Sequence, residues 1–343
     1  MLRVFEGFTK GINLGGWLSQ NHLTQEHLTN FITEGDIERI CTFGVDHVRL
    51  PIDYNLIEDE EGNTIESGYQ YIDNCIHWCT KRGLNVILDL HKTAGYVFDD
   101  SEYSSSFFHN ALLQERFIKL WETLATRYAT YSKQVAFELL NEVVDPEVAE
   151  IWNGIIKQAL QRIRAIAPDT WILIGGTRNN SIISLKELDA PYDDKIVFNF
   201  HCYEPLIFTH QAAHWVEGMP LDYTLDYPLT VQECIDETNR LIDPSISYPI
   251  QGLSELMCGK EFFRSFFREA VQIAEHYHVP LYCGEYGVIN MASPEATLRW
   301  YQDIHAVFEE YGIGRAAWTY KEMDFGITDA HYQPVFEELI KNL

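Results

Sequence analysis

The strongest structural signal in this sequence is the run Gln134-Val135-Ala136-Phe137-Glu138-Leu139-Leu140-Asn141-Glu142. It has the length of a β-strand and lacks the regular polar alternation of a strand with one face in water, which is typical of a parallel strand covered on both faces. No turn residue separates the apolar part from Asn141 and Glu142. We therefore expect these two polar side chains to emerge together at the carboxyl end of a buried strand.

Seven similar runs are spread along the chain and alternate with segments of helical period. Such alternation predicts βαβ units around a parallel sheet. Eight units predict the α/β class and a closed (β/α)8 TIM barrel, for which about 250 residues suffice. The predicted strands are Gly11–Trp17, His47–Ile52, Asn85–His91, Gln134–Glu142, Trp171–Thr177, Ile196–Tyr203, Pro280–Tyr286 and Ala316–Tyr320.

Several helix starts are marked by residues that satisfy the unpaired backbone N–H groups of a first turn. Two segments resemble capping boxes, and two place a capping residue before a proline at the first helical position, where a missing donor has no cost. After the fifth strand the helical signal is weak. The four marked starts are Thr33-x-x-Asp36, Ser67-x-x-Gln70, Asp145-Pro146 and Ser293-Pro294.

The chain is longer than one barrel needs, and much of the surplus lies in residues 204–259, between the sixth strand and a helix that begins near Lys260. This segment is rich in aromatic residues, among them Trp215. A loop of this length in a compact domain is usually functional. We expect residues 1–343 to form a single barrel domain, with 204–259 as an inserted, lid-like subdomain over the active-site cleft.

The charge balance excludes two classes of partner. The chain has 25 Lys and Arg residues against 51 Asp and Glu residues, which gives a net charge of −26 at pH 7. Because nucleic acids and anionic membranes attract basic surfaces, we expect neither as a partner. Acidic polysaccharides are also disfavoured as substrates, since like charges repel.

The cysteines and the N-terminal residues favour a cytoplasmic location. Seven cysteines without a Cys-x-x-Cys motif argue against a disulfide framework or a zinc ribbon. The first residues reach Glu6 before any apolar stretch of the kind that a secretory signal contains. We expect a monomer, because a closed barrel leaves no sheet edge that needs a partner.

The strand ends hold the candidates for chemistry, since active sites of TIM barrels lie at the carboxyl ends of the strands. Glu142 and Glu285 end the fourth and seventh strands and would face each other across the barrel mouth. Such a pair suits glycoside hydrolysis, in which one carboxyl protonates the leaving oxygen and the other attacks the anomeric carbon. Arg49 and Tyr203 would keep Glu285 ionised, and the negative partner would raise the pKa of Glu142. Further side chains at strand ends are His91, Asn141, His201 and Trp318.

These strand ends resemble the motifs of glycoside hydrolase family 5, the cellulase family A. Two signature motifs carry the resemblance, Phe137-Glu138-Leu139-Leu140-Asn141-Glu142 and Tyr282-Cys283-Gly284-Glu285-Tyr286-Gly287. Segments 11–17, which include Asn13, and 209–215 are similar to the bacterial endoglucanase C type, in which a subdomain follows strand six. The other matching motifs are His47-Val48-Arg49-Leu50-Pro51, Leu88-Asp89-Leu90-His91, Asn199-Phe200-His201-Cys202-Tyr203 and Trp318-Thr319-Tyr320.

The resemblance implies a retaining mechanism with Glu142 as acid/base and Glu285 as nucleophile. It implies that Asn141 binds the 2-hydroxyl of the reacting sugar and that His91 binds other hydroxyls of that sugar. The supporting roles that it implies fall on His201, which would orient groups near Glu142, on Trp318, which would stack under the sugar ring, and on Arg49, Tyr203 and Asn13.

Some positions leave alternatives open. Lys92 follows His91 where many family members carry a second histidine, and Trp215 either offers a sugar platform or packs the insertion onto the barrel. His210 and His214 have helical metal-ligand spacing, but a catalytic glutamate and a third ligand are missing from the sequence around them. The glycines of segment 11–16 lack the Gly-x-Gly-x-x-Gly spacing of a dinucleotide-binding loop. We therefore expect neither a metal nor a cofactor.

We expect a retaining β-glucan hydrolase, specifically an endo-β-1,4-glucanase that acts on cello-oligosaccharides or mixed-linkage β-glucan. An exo-acting β-glucosidase or exo-glucanase and a β-mannanase remain alternatives on the same scaffold. A carbohydrate-binding barrel without turnover is the alternative from another class, because a fold alone does not determine function.

Overall fold

The computed structural model describes residues 2–98, 104–253 and 256–343. Within these ranges, eight parallel strands form a closed barrel in which each strand pairs with its neighbours in sequence and β1 pairs with β8. The predicted (β/α)8 barrel is confirmed. Its strands are β1 (Lys10–Asn13), β2 (His47–Asp53), β3 (Asn85–Lys92), β4 (Val135–Glu138), β5 (Ile172–Gly175), β6 (Ile196–Cys202), β7 (Leu281–Tyr286) and β8 (Gly314–Ala317).

Helices cover the barrel and bury one face each. In the helix from Lys260 to Tyr277, the buried residues recur at spacings of three and four, as in Phe262, Phe263, Phe266 and Phe267. No described helix combines the length and the apolar character that crossing a membrane requires. The helices are α1 (Gln25–Asn30), α2 (Glu34–Cys41), α3 (Glu66–Thr80), α4 (Ala111–Tyr128), α5 (Ala149–Ile166), α6 (Thr177–Asn180), α7 (Leu206–Thr209), α8 (Val231–Leu241), α9 (Lys260–Tyr277), α10 (Pro294–Tyr311) and α11 (Phe336–Leu339).

Three of the four marked helix starts agree with the structure. The backbone N–H of Thr33 donates to the Asp36 carboxylate at 2.8 Å, and Asp145 and Ser293 cap the two proline-initiated helices. The start at Ser67 is wrong, because α3 begins at Glu66 and Ile65 is its N-cap. The backbone N–H of Ile65 bonds to the carbonyl of Ile57 at 2.9 Å and closes the loop 57–65. Helix α3 begins at the next residue.

The last predicted strand is displaced. It was expected at Ala316–Tyr320, but β8 runs from Gly314 to Ala317, so Trp318 lies just beyond it. Glycine ordinarily weakens a strand, which is why the sequence did not place Gly314 within one. The structure gives the reason for the glycine, since a Cβ atom at this position would overlap the carbonyl oxygen of Phe8.

The barrel interior is apolar at the bottom and polar above. Phe5 and Phe8 close the bottom and pack against one inward residue from each of several strands. Two residues further along the same strands, the inward positions are polar and buried, as with Asp89, Glu138 and Asn199. Period-two alternation along the strands thus places a polar layer directly beneath the carboxyl ends.

The inserted segment contains α7, α8 and a 3-10 helix at Pro244–Ile250, and it lies between β6 and α9 as predicted. An isolated bridge between Thr230, at the start of α8, and Met257 joins the middle of the segment to its last residues. It is attached to the barrel through Tyr227, whose hydroxyl donates to Asp303 on α10 at 3.0 Å. Its role as a lid stays a prediction.

Candidate active site

Arg49, on β2, is the centre of a buried polar network. Its Nε and Nη2 donate to the two carboxylate oxygens of Glu138 at 2.7 and 2.8 Å. Its Nη1 donates to Glu285 Oε1 at 2.7 Å, and its Nη2 lies 3.0 Å from Asp89 Oδ2. Burial alone would lower the pKa of Arg49, but these carboxylates hold it well above its usual value. The guanidinium therefore remains a fixed positive charge beneath the site.

Glu285, on β7, accepts hydrogen bonds on both carboxylate oxygens. In addition to the Arg49 contact on Oε1, the Tyr203 hydroxyl donates to Oε2 at 2.9 Å. His201 Nδ1 lies 3.7 Å from the same Oε2. Both donors suit an ionised carboxylate. The structure thus places Arg49 and Tyr203 at Glu285, as the sequence predicted.

Glu142 has different neighbours. His201 Nδ1 lies 2.7 Å from Oε1, and Asn179 Nδ2 donates to Oε2 at 3.2 Å. Burial raises the pKa of Glu142 to about 7, against the opposing effects of Asn179 and Arg49. The sequence predicts that the negative charge of Glu285 causes this rise, and that prediction is wrong, because withdrawal from water is the cause. Glu142 follows β4 and has a positive φ of 39°.

The two predicted catalytic carboxyl groups are close together. One oxygen of Glu142, one of Glu285 and a ring nitrogen of His201 all lie within 4.8 Å of one another. Carboxyl groups of retaining glycosidases are about 5–5.5 Å apart, whereas inverting enzymes need about 6.5–9.5 Å to admit a water molecule. The spacing therefore fits direct attack by one carboxylate.

His91 and Trp318 form one wall of the site. Their rings are parallel within 2° at a centroid distance of 5.8 Å. His91 Nδ1 lies 2.6 Å from Asp89 Oδ2, which leaves Nε2 for a substrate. Burial lowers the pKa of His91 to about 3, so the ring is neutral, and burial raises the pKa of Asp89 to about 7. Lys92 follows His91 at the buried end of β3.

Asn141 and Asn13 have different surroundings. Asn141 Oδ1 accepts from Arg49 at 2.8 Å, and its buried Nδ2 has no partner among the described residues, so it is a donor available for a sugar hydroxyl. Asn13 is fully buried, and its Nδ2 donates to the carbonyls of Gly284, Ala316 and Ala317 at 3.0–3.2 Å. Asn13 therefore joins strands and supports Arg49, and it offers no donor to a substrate.

Comparison with known proteins assigns the family. The model of the cellulase family, glycosyl hydrolase family 5, matches residues 9–324. The chain belongs to glycoside hydrolase family 5. This family 5 chain is 43% identical to endoglucanase C of Acetivibrio thermocellus over 340 residues, covering 98% of both chains. It is 44% identical to cellodextrinase A of Ruminococcus flavefaciens over 309 residues, covering 90% of this chain and 84% of the relative.

The solved structures agree on the fold of this family 5 glycosidase. Endoglucanase Cel5A of Thermotoga maritima superposes with a TM-score of 0.77 at 24% identity, covering 98% of this chain and 97% of that one. The likeness at this identity shows the shared barrel, and the family assignment stands on the sequence matches above.

The insertion of the family 5 enzyme brings aromatic rings close to the nucleophile side. The His210 ring lies edge-on to Tyr203 at 5.0 Å, and Trp215 lies 6.2 Å from His210 and 6.4 Å from Phe325. Trp215 remains 40% exposed, so it both packs and presents a free face. His210 and His214 have the sequence spacing of a helical pair but do not lie on a helix, because α7 ends at Thr209.

One group of potential metal ligands is found within the described ranges. It consists of Glu142, His201 and Glu285, whose ligand atoms meet within 4.8 Å. These residues line the space that a sugar would occupy, so a cation bound there would compete with the substrate. The sequence-based expectation of a reaction without a metal stays a prediction.

Four residues of the site have no role in the sequence-based prediction, although Asp89, Glu138 and Asn199 lie within the motifs that it uses. Asp89 and Glu138 carried a signal, since each lies an even number of positions before a strand-end residue and so shares its inward face. Asn199 precedes His201 by the same period of two, and its Nδ2 donates to Glu138 Oε1 at 2.8 Å. Asn179 lies on a turn after β5, and nothing in strand periodicity could have placed it beside Glu142.

Proposed function

We propose that this family 5 enzyme is a retaining endo-β-1,4-glucanase that hydrolyses cello-oligosaccharides or mixed-linkage β-glucan by double displacement. The observation that carries the proposal is the approach of a Glu142 oxygen and a Glu285 oxygen to within 4.8 Å. At this spacing one carboxylate reaches the anomeric carbon directly. The relatives named endoglucanase C and cellodextrinase A support a β-1,4-glucan as the substrate.

In the first step Glu285 attacks the anomeric carbon while Glu142 gives its proton to the leaving oxygen. The bond to the leaving sugar breaks, and a covalent glycosyl-enzyme ester forms on Glu285. Arg49 and Tyr203 hold the attacking carboxylate in place through Oε1 and Oε2. The raised pKa of Glu142, about 7, keeps a proton on it below neutral pH.

In the second step Glu142 acts as a base. It takes a proton from a water molecule, whose oxygen attacks the anomeric carbon and displaces Glu285. The product keeps the β configuration, and Glu142 regains the proton that it gave away. Burial lowers the pKa of His201 to about 4, so its ring is neutral at pH 7. His201 orients Glu142 in both steps through the contact at Oε1 and does not take up the proton that Glu142 transfers.

The reacting sugar is bound by groups that are already in position. Asn141 Nδ2 is a buried donor that suits the 2-hydroxyl, where a hydrogen bond strengthens in the transition state. His91 Nε2 is the ring nitrogen that Asp89 leaves open, and the Trp318 ring, parallel to the His91 ring, offers an apolar surface to the C–H face of the sugar. Trp215 is proposed as a further platform on the insertion.

A product profile tests this function against its alternatives. The substrates are cellopentaose, barley β-glucan, laminarin, mannan and an aryl β-glucoside, and the products are followed by mass spectrometry. Internal fragments from cellopentaose and β-glucan are expected. Glucose alone from chain ends would replace the endo mode by an exo mode, and faster cleavage of mannan would make the enzyme a β-mannanase. Binding without any product would overturn the catalytic assignment.

The remaining expectations are a monomer and a cytoplasmic location. The monomer rests on the closed barrel, which leaves no open sheet edge, and the cytoplasmic location rests on the cysteine pattern. Both stay predictions. Sedimentation of the full chain and fractionation of cells of the source organism test them.

A further inference from the structure

The short segment α6 (Thr177–Asn180), which follows β5, is a left-handed turn and not a regular α-helix. Arg178, Asn179 and Asn180 have φ values of 55°, 56° and 53°. Asparagine adopts this region more readily than most residues, because its short side chain tolerates the geometry. Gly175, at the end of β5, makes room for the turn, since a Cβ atom there would overlap the Asn180 amide.

Backbone contacts attach this turn to the residues that follow Glu142 and to the strand that carries His201. The backbone N–H groups of Arg178 and Asn179 bond to the carbonyls of Val144 and Val143 at 3.2 and 3.0 Å. Ser181, directly after the turn, forms a bridge with His201. The turn is therefore fixed to the residues that follow Glu142 in sequence and to the histidine that contacts it.

The side chain of Asn179 completes the contacts of the Glu142 carboxyl group. His201 Nδ1 lies 2.7 Å from Glu142 Oε1 and 3.7 Å from Glu285 Oε2, so Oε1 is the oxygen on the nucleophile side. Asn179 Nδ2 donates to the other oxygen, Oε2, at 3.2 Å. The two contacts together fix the rotation of the carboxyl group.

We propose that Asn179 is a positioning residue for the acid/base, which holds Glu142 Oε2 towards the leaving-group oxygen, and that Asn179 itself borders the subsite of the leaving-group sugar. This inference rests on the proposed function, because it assigns Asn179 to the proton transfer of that reaction. Asn179 is itself exposed, as a residue at the edge of a sugar subsite should be.

The test compares Asn179→Gly with Arg178→Gly. Both variants place glycine at a left-handed position, which glycine adopts without cost, so both preserve the turn. Only the first removes the amide from Glu142, since no hydrogen bond joins the described Arg178 side chain to that carboxyl group. The substrates are cellotriose, whose leaving sugar needs a proton, and 2,4-dinitrophenyl β-cellobioside, whose leaving group needs none.

We expect Asn179→Gly to lower kcat/KM on cellotriose by about tenfold, the size of one hydrogen bond between neutral groups, because Glu142 is protonated in the first step, and to leave kcat/KM on the dinitrophenyl substrate unchanged. The alkaline limb of the cellotriose profile should also shift to higher pH, because a donor to the ionised form is lost. Arg178→Gly should match the wild type on both substrates.

An equal loss on both substrates, or equal behaviour of the two variants, would overturn the positioning role while leaving the proposed function intact. Failure of the wild-type enzyme to cleave either substrate would instead overturn the proposed function, and this inference with it. The two failures are therefore distinguishable in one set of measurements.

Discussion

Glu142 and Glu285 carry the same carboxyl group, but their neighbours differ. Glu285 accepts from a guanidinium and a phenol, whereas Glu142 contacts an imidazole and an amide. In the proposed reaction this difference separates the acid from the nucleophile, because burial raises the pKa of Glu142 to about 7, whereas Arg49 and Tyr203 hold the carboxylate of Glu285 in place.

The first prediction concerns the nucleophile. Glu285→Gln should lower kcat on cellotriose by roughly four to six orders of magnitude, because the amide keeps the shape of the side chain but cannot form the ester. Binding of cellotriose, measured by calorimetry, should persist. Hydrolysis within tenfold of the wild-type rate would show that Glu285 is not the nucleophile.

The second prediction concerns the acid/base. Glu142→Ala should lower kcat/KM on cello-oligosaccharides by about 10²- to 10⁴-fold, with little effect on 2,4-dinitrophenyl β-cellobioside. Azide should then accelerate turnover and yield the β-glycosyl azide, since it needs no base to attack the intermediate. An α-azide, or no azide product at all, would contradict the role of Glu142.

The third prediction follows from the pKa of Glu142, which burial raises to about 7. The first step needs the protonated form, so kcat/KM on cellotriose should fall as the pH rises through about 7. The dinitrophenyl substrate should lack this limb, because its leaving group departs without a proton. If both substrates share the limb, the titrating group is not the acid.

At the residue scale, the sequence could place the carboxyl pair but not every contact. The strand ends placed Glu142, Glu285 and Tyr203 at one rim, and Arg49 lies within β2 beneath them. The cause of the raised pKa of Glu142 could not be predicted, because burial depends on how the loops close over the strand ends. The Asn179 contact depends on three left-handed residues, whose conformation is set by tertiary packing.

At the scale of elements, backbone hydrogen bonds continue past the last residue of β4 and hold in position the site residues that follow it. The N–H groups of Leu139 and Asn141 bond to the carbonyls of Leu173 and Leu90 at 3.2 and 3.0 Å, beyond the last residue of β4. The predicted strand, which ran to Glu142, was therefore longer than β4, although its ladder bonds extend as far as Asn141. Sequence patterns report burial, and they do not report where a ladder leaves its regular geometry.

The closure of the barrel gives the fourth prediction. Asn13 Nδ2 shares its two hydrogens among three buried carbonyls on β7 and β8, and Asn13 Oδ1 accepts from Arg49 at 3.0 Å, so Asn13→Ala should lower the free energy of unfolding by about 3 kcal/mol. Asn85→Ala is the control, because Asn85 bonds to one carbonyl, that of Gly7, at 2.8 Å. Its loss should be about 1 kcal/mol. Equal losses in urea denaturation would show that Asn13 does not join the strands.

At the scale of the whole molecule, the alternation of strands and helices was sufficient to predict a closed barrel and the position of the insertion. The arrangement of residues 204–259 was not predictable, because this segment packs through individual side chains such as Tyr227 on Asp303. Its contribution to substrate length depends on Trp215, which is half packed against His210 and Phe325 and half exposed.

The central claim is that Glu285 and Glu142 carry out a two-step displacement across a gap of 4.8 Å or less. Proton NMR of cellotetraose hydrolysis tests it most directly, since the anomeric signals of the first product appear before mutarotation mixes them. The β-anomer should accumulate first and the α-anomer should grow in later. An α-anomer at the earliest times would mean an inverting reaction and would exclude Glu285 as a nucleophile.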